Sequence, residues 1–248
     1  YLRYENHHDV AGGGHFSGRL TAPLCIAGGI ALQALEHALG IRIVAHISQL
    51  GPKRVCDEPL NDMAFDPAQL AAIRSNELPC VSAEAALSMH EQVLSAKSEL
   101  DSVGGVIECV AYGMPAGVGD PMFDGLENRI ARIAYGIPAV KGVEFGAGFG
   151  VAELLGSQDN DPYRVTDGHV ACEKNDAGGI LGGISTGMPI VWRAAFKPTP
   201  SIGKRQDSVD LGRGEDADLV VHGRHDPCIV PRAVPVVEAA CALALLDA

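Results

Sequence analysis

The stretch PLCIAGGIALQALEHALGIRIVAHISQL, residues 23–50, decides the fold class because it places a helix pattern directly before a strand pattern. Residues 23–39 are apolar, with Pro23 in the first turn and Gly40 after the end, which predicts a helix. The pair Gly28 and Gly29 indicates close packing of this helix against another backbone. Residues 41–50 alternate and are rich in β-branched side chains, which predicts a strand.

The same two patterns recur along the chain at irregular intervals. Further helices are predicted over residues 66–74, 82–100, 126–133 and 232–247, the last of them interrupted by Pro235. Strands are predicted over residues 106–112, 139–145, 189–196 and 219–222, and residues 146–187 are predicted to be mostly loops. No regular β-α-β repeat of about 30 residues occurs. We therefore predict an α+β fold with mainly antiparallel sheets around helices, as one domain over residues 1–248.

Composition and charge exclude several classes of protein. The chain has 19 Lys and Arg against 31 Asp and Glu, a net charge of −12 and 47% hydrophobic residues. Ample apolar content excludes a disordered chain, and the negative charge repels nucleic acid. Apolar runs are broken before the length of a membrane span. Seven cysteines without a C-x-x-C pair favour neither a disulfide framework nor a zinc site, so we expect a reducing, cytoplasmic setting and no metal.

Several polar and glycine-rich segments predict a site for an anionic small molecule. Residues 178–187 contain five glycines, whose N–H groups could line an anion or simply form a structural turn. Residues 197–201, KPTPS, combine a cation with two hydroxyls, and residues 223–228, GRHDPC, place an arginine beside a His-Asp pair. Near the start, four polar groups alternate beside three glycines: His15, Ser17, Arg19 and Thr21. Residue chemistry alone thus predicts an enzyme that binds a phosphorylated or otherwise anionic compound.

Five longer motifs occur along the chain: GGGHFSGRLTA (residues 12–22), GIPAVKGVEFGAGF (136–149), NDAGGILGGISTGMP (175–189), KPTPSI (197–202) and GRHDPCIVPRAVPVVE (223–238). In their sequence and their order they resemble chorismate synthase. The resemblance implies a β-α-β sandwich, a homotetramer and the conversion of 5-enolpyruvylshikimate-3-phosphate to chorismate and phosphate. This 1,4-anti elimination needs reduced FMN and belongs to the shikimate pathway. Reduction of the flavin by NADPH on the protein and reduction by an external donor both fit the resemblance.

The resemblance also implies roles for individual residues. Asp226 aligns with the acid that takes part in proton removal, and Arg19 and Arg224 align with arginines that meet the anionic substrate. The positions that align with FMN contacts are His15, Phe16, Ser17, Pro138, Ala139, Gly182, Lys197, Pro198, Thr199, Pro200, Ser201 and Arg224. His15 and Phe16 stand where many members have Arg-Ser. Lys197 is expected to meet the cofactor phosphate.

Two histidine motifs of the family, Gly-Glu-Ser-His-Gly and Arg-Pro-Gly-His-Ala-Asp, do not occur in the sequence. Because the chain begins with Tyr1, we expect further residues upstream that contain them. The alternative to an enzyme is a remnant of the same fold that binds FMN or phosphate without catalysis, or that only completes an assembly. An upstream reading frame with both motifs separates these hypotheses.

Overall fold

The computed structural model describes residues 3–5, 7–8, 11–54, 72–166, 168–223 and 225–248, and a five-stranded antiparallel sheet lies at its centre. The strand order is β2-β1-β3-β9-β4, where the strands are β1 (Arg42–Leu50), β2 (Lys53–Arg54), β3 (Gly105–Tyr112), β4 (Val140–Phe145) and β9 (Ile190–Phe196). The strands predicted over residues 41–50, 106–112, 139–145 and 189–196 are thereby confirmed. Antiparallel pairing along the whole sheet also confirms the predicted fold class.

The helices lie mainly on one face of this sheet. They are α1 (Thr21–Leu39), α2 (Ala83–Ser98), α3 (Leu126–Ala134), the single turn α4 (Gly156–Asp159) and α5 (Val230–Leu246). Helix α5 is the centre of this layer, because it packs against α1, α3, β1 and β3. Alternate residues of β3, namely Ile107, Cys109 and Ala111, are fully buried and belong to the core that α5 completes. A period of two along the strand thus directs one set of side chains to the helices.

Helices α1 and α5 cross at Gly28. A Cβ atom at this position would lie 2.2 Å from the Cβ and 2.5 Å from the Cα of Ala239, so only glycine permits the observed approach. The close packing predicted for Gly28 is confirmed, whereas a Cβ added at Gly29 would have nothing within 4 Å. Gly40 ends α1 in the left-handed conformation, as its position after the helix predicted.

The free edge of β1 is closed by side chains and by a loop. Among the described residues, strand β2 pairs with the end of β1, at residues 49 and 50. Farther along, the Ala45 N–H donates to Glu238 Oε1 over 2.9 Å, and Arg74 donates to the Ile43 carbonyl over 2.5 Å. The carbonyl of Pro79 accepts the Ile47 N–H. Helix α5, through Glu238, therefore replaces a neighbouring strand at an edge that would otherwise leave buried backbone groups unpaired.

Polar and charged side chains form a row across the opposite face of the sheet. His46 Nε2 lies 3.1 Å from Glu108 Oε1, and the guanidinium of Arg193 lies 3.6 Å from Glu108 and 2.8 Å from Glu144. His46 and Glu108 are buried, and their cross-strand register places them directly opposite each other. Burial, together with the charge of Glu108, raises the pKa of the nearby Tyr112 to about 12. The row pairs its charges internally, which is what burial of charge requires.

Several predicted elements differ from the structure. Residues 146–187 contain two hairpins as well as loops, β5 (Tyr163–Thr166) with β6 (His169–Cys172) and β7 (Ile180–Leu181) with β8 (Ile184–Ser185). The strand predicted over residues 219–222 is wrong, because the chain forms a hairpin of β10 (Gln206–Asp210) and β11 (Glu215–Leu219). Helix α5 begins at Val230 and continues through Pro235 without a break. Of the helix predicted over residues 66–74, residues 66–71 lie outside the described residues, and residues 72–75 are helical.

Residues Gly18–Leu39 are long and apolar enough to cross a membrane by length and composition, although the sequence predicted no such stretch. One helix of this kind is weak evidence, because core helices and signal sequences share these properties. In the described chain α1 packs against α5 through Gly28, Ala31 and Leu35, and 17% of the apolar stretch is buried. Within the described ranges, no three His, Cys, Asp or Glu side chains are grouped to hold a metal ion.

Candidate active site

A cavity of about 400 Å³ lies where the start of α1 meets the start of α5. One end is polar and carries Ser17, Arg19 and Thr21. The rest of the wall is formed mainly by apolar side chains, namely Ile137, Pro138, Phe196, Ile229, Ala233 and Val236, with Arg232 at the rim. An apolar wall with a few convergent polar groups is the usual character of a small-molecule site.

The polar end of this cavity is built by a tight turn before α1. Ser17 Oγ accepts the Arg19 N–H over 3.3 Å, and Thr21 Oγ1 donates to the Gly18 carbonyl over 2.7 Å. The bond to Ser17 satisfies a backbone N–H that the start of a helical turn leaves unpaired. Arg19 itself is exposed and lines the cavity, so its guanidinium is available to an anionic ligand.

A second cavity of about 550 Å³ borders the loop before α5 and shares Arg232 with the first. Its lining consists of Lys97, His225, Asp226, Pro227 and Arg232. Arg232 lies 3.0 Å from Asp226 Oδ2, while Asp226 Oδ1 accepts the Cys228 N–H over 3.4 Å. The side chain of Asp226 is 24% exposed, so a ligand in the cavity can reach it.

Two further groups of this loop have fixed roles. His225 Nε2 lies 2.7 Å from the Val221 carbonyl and donates to it, so His225 is held by the backbone rather than by Asp226. Burial raises the pKa of Cys228 to about 11. Cys228 is therefore a neutral thiol at physiological pH and a poor nucleophile. Asp226 is the carboxylate that the loop presents to the cavity.

The loop at residues 197–201 begins where β9 ends, beside a strained residue. Ala139 has a φ of +78°, a conformation that non-glycine residues rarely adopt, and its carbonyl accepts the Lys197 N–H over 2.9 Å. Such strain costs about 1–3 kcal/mol and is most common at functional sites. Thr199 Oγ1 is buried and has no hydrogen-bond partner among the described residues. An unpaired buried hydroxyl is expected to meet a ligand or a further part of the protein.

The connection between α2 and β3, residues 100–104, holds both loops in place; we call it the α2–β3 connector. Ser102 Oγ donates to the Thr199 carbonyl over 2.6 Å, and the Val103 N–H donates to the Pro227 carbonyl over 2.9 Å. A Cβ at Gly104 would lie 2.3 Å from the Phe196 carbonyl, so glycine is needed for this approach. The connector therefore fixes residues 197–201 relative to the Asp226 loop.

The structure brings some of the predicted site residues together and leaves others apart. Ser17, Arg19 and Pro138 share the first cavity, and Asp226 lines the adjoining one. Ala139 and Lys197 are joined by their backbones at the edge of this region, in the segment that continues through Pro198, Thr199, Pro200 and Ser201. His15 and Phe16 are exposed and line neither cavity. Arg224 lies outside the described residues.

Gly182 and the other glycines of residues 178–187 have structural roles in the described chain. Gly182 and Gly183 form the turn between β7 and β8, at φ values of +61° and +86°. The Gly178 and Gly179 N–H groups donate to the backbone carbonyl and the side chain of Asn175. Of the two interpretations of this loop, the structural turn accounts for these glycines. Gly182 lines neither cavity.

Several side chains of the cavities were not predicted, among them Arg232, Phe196 and Lys97. Arg232 belongs to the motif at residues 223–238 but received no role, and Phe196 directly precedes KPTPS. Lys97 lies in the last turn of α2, where only core packing was predicted. The position of Arg232, six residues after Asp226 and at the start of a helix, is the sequence signal that could have indicated it.

Comparison with known proteins gives one consistent result. A family model described as chorismate synthase matches residues 1–248. Chorismate synthase of Lancefieldella parvula is 52% identical over all of this chain and 67% of its own length, and that of Korarchaeum cryptofilum is 47% identical over 99% of this chain and 66% of its own length. A crystal structure of chorismate synthase covers 94% of this chain at a TM-score of 0.76 and 29% identity, and 63% of that chain is matched. The chain thus spans about two thirds of the length of these relatives.

Proposed function

The chain belongs to the chorismate synthase family, and we propose that the protein converts 5-enolpyruvylshikimate-3-phosphate to chorismate and inorganic phosphate, with reduced FMN as cofactor. The observation that carries this proposal is the convergence of Ser17 and Arg19, Pro138, and Asp226 around two cavities that share Arg232. These residues come from three motifs that are far apart in sequence. The elimination needs an anion-binding group, an apolar wall and a proton acceptor, and each is represented.

The residues present fit a reduced flavin. Pro138, Phe196 and Ile229 offer an apolar wall for a planar ring, and Lys197 with the hydroxyls of residues 199 and 201 offers a cation and donors for a phosphate. The unpaired, buried Thr199 Oγ1 supports this role for the KPTPS loop. When bound, reduced FMN supplies the electron density that assists departure of the allylic phosphate.

The chain's own side chains supply orientation, charge and a proton acceptor. Arg19, with Arg224 from outside the described residues, binds the phosphate and carboxylates of the substrate, since guanidinium groups form paired hydrogen bonds with both. Asp226 receives the proton that the substrate loses, because it is the partly exposed carboxylate of the second cavity. The apolar wall excludes water, which strengthens these charge interactions.

We also propose that the protein is a cytoplasmic homotetramer and that NADPH is one source of electrons for its flavin. Large apolar side chains are widely exposed in the single chain, among them Ile26, Ile30, Phe123 and Phe149. Apolar surface of this extent supports burial against further protein. Light scattering of the protein from its natural gene tests the assembly, and a mass of one chain would contradict it.

The test of the proposed function is anaerobic formation of chorismate and release of phosphate by the protein expressed from its natural gene. With reduced FMN and 5-enolpyruvylshikimate-3-phosphate, we expect turnover. Asp226→Asn should lower kcat by about 100-fold or more, because it removes a proton acceptor, and should leave FMN affinity near that of wild type. Asp216→Asn, an exposed carboxylate that lines neither cavity, is the matched control.

Two results would count against this function. FMN binding by wild type without any chorismate formation would support a non-catalytic remnant instead. An equal loss of kcat and FMN affinity in Asp226→Asn would assign Asp226 a structural role.

A further inference from the structure

Arg232 stands between the two cavities, and we propose that it is a substrate-binding residue whose resting partner is Asp226. In the structure its guanidinium lies 3.0 Å from Asp226 Oδ2. When the anionic substrate enters, a carboxylate or the phosphate of the substrate takes the place of Asp226. This inference rests on the proposed function, because it adds a contact at the same site.

The side chain of Arg232 can move while its backbone stays fixed. The side chain is 77% exposed, against 24% for Asp226. Its backbone lies in the first turn of α5, and the neighbouring Ala233 and Val230 are buried in the core. A guanidinium with five N–H donors on a flexible stem can exchange one carboxylate for another without a change in the fold.

The pair with Asp226 is suited to replacement. Asp226 Oδ2 is buried and has no hydrogen bond of good geometry to any residue that the structure describes, so the contact to Arg232 is an ion pair by distance only. Ion pairs that involve an exposed arginine contribute little to stability, because water competes with both partners. A ligand that brings its own carboxylate or phosphate can therefore replace Asp226 at Arg232 at small cost.

Arg232 also shares the first cavity with a second cation. Both Arg19 and Arg232 line that cavity, together with the apolar side chains of Ile137, Phe196 and Ile229. A compound with two separate anionic groups would place one of them at each arginine and would leave the apolar wall to the flavin ring. The proposed substrate, with two carboxylates and one phosphate, has this character.

Release of Asp226 connects binding to the proton transfer. While Arg232 holds Oδ2, one oxygen of the carboxylate is engaged, and Oδ1 accepts the Cys228 N–H. Once Arg232 has turned to the substrate, Oδ2 keeps no partner among the described residues, and Asp226 still lines the second cavity. The carboxylate is then a proton acceptor only when substrate is bound.

The experiment compares Arg232→Gln with Arg213→Gln in the protein from its natural gene, with 5-enolpyruvylshikimate-3-phosphate and reduced FMN. Arg213 is matched, because its side chain is also 77% exposed and pairs with an aspartate, Asp210, at 3.6 Å, yet it lines neither cavity. We expect Arg232→Gln to raise KM about tenfold or more, since a charge-assisted pair is lost, and to leave FMN affinity and Tm unchanged. Arg232→Lys should restore part of the affinity, and Arg213→Gln should behave like wild type.

The outcomes separate this inference from the proposed function. If wild type turns over while Arg232→Gln keeps a wild-type KM, the inference is wrong and the function stands. A lower Tm with unchanged KM would show that Arg232 is structural and would also overturn the inference. Absence of chorismate formation by wild type itself would refute the proposed function and, with it, the inference.

Discussion

Replacement of the two adjacent glycines of α1 by alanine should have opposite effects on stability. At Gly28 an added Cβ would lie 2.2 Å from the Cβ and 2.5 Å from the Cα of Ala239 on α5. Nonbonded carbon atoms prefer about 3.5–4.0 Å. Because the nearest atoms belong to a β-carbon and a backbone, no rotation of a side chain can relieve the contact. Helices α1 and α5 would have to separate.

The expected magnitude follows from two opposing contributions. Overpacking in a core costs typically 1–3 kcal/mol, and this contact lies at the upper end because it involves backbone. Alanine in place of glycine within a helix contributes about 0.8–1.0 kcal/mol in the favourable direction. Gly28→Ala should therefore lower the free energy of unfolding by about 2 kcal/mol. Gly29→Ala meets nothing within 4 Å and should raise it by about 1 kcal/mol.

Guanidinium chloride unfolding, followed by tryptophan fluorescence, measures both effects. Trp192 is the one tryptophan of the chain and is fully buried in the core beside α5, so its emission reports loss of the packing in question. The two variants should differ by about 3 kcal/mol. If Gly28→Ala is as stable as wild type, or if both variants shift in the same direction, the described crossing of α1 and α5 is incorrect.

Three further predictions concern the site and the edge of the sheet. Ser102→Ala should raise the Kd for FMN about fivefold, because a hydrogen bond of about 1 kcal/mol to the KPTPS loop is lost. Equilibrium titration measures this Kd. An equal rise in Ser98→Ala, at an exposed serine at the end of α2, would contradict the prediction. Lys197→Ala should weaken FMN binding roughly tenfold or more, whereas Lys141→Ala, at an exposed position on β4, should leave it unchanged. Unchanged FMN affinity in Lys197→Ala would show that Lys197 does not bind the cofactor phosphate. Burial raises the pKa of Glu238 above its ordinary value of 4.5, so the folded chain binds a proton at Glu238 more tightly than the unfolded chain does. The contribution of Glu238 to the free energy of unfolding therefore decreases as the pH rises above 4.5. The Tm of Glu238→Gln relative to wild type should therefore increase from pH 4.5 upwards, and a difference that does not change with pH would refute this effect of burial.

Elements with a clear apolar pattern could be predicted from the sequence. Residues 82–100 carry an apolar stripe, and the structure has α2 there, with Ser82 as its N-cap and Met89 buried. The hairpin of β10 and β11 has no such pattern, because charged residues such as Asp207 and Asp216 alternate with side chains that are not buried. Without a buried face, no period of two marks the strands. The predicted strand, residues 219–222, consequently starts at the last residue of β11 and otherwise covers the residues after it.

Pro235 shows how tertiary packing overrides a local rule. A proline inside a helix removes one backbone hydrogen bond, and this is why an interruption was predicted. In α5 the residues around it, Val234, Val236 and Val237, are buried between α1, α3 and the sheet. Burial of each such side chain contributes about 1.5–3 kcal/mol, so the helix continues at the cost of one hydrogen bond.

Sheet topology, rather than spacing in sequence, assembles the candidate site. In the antiparallel register Phe196 at the end of β9 pairs with Gly105 at the start of β3 and with Val140 at the start of β4. The end of β9 therefore lies beside the beginnings of β3 and β4. The three segments that adjoin these strand ends meet there, namely residues 137–139, residues 197–201 and the α2–β3 connector. The connector also holds the Asp226 loop through the Pro227 carbonyl. A substitution in the connector should consequently alter ligand binding at both cavities, although none of its residues lines either one.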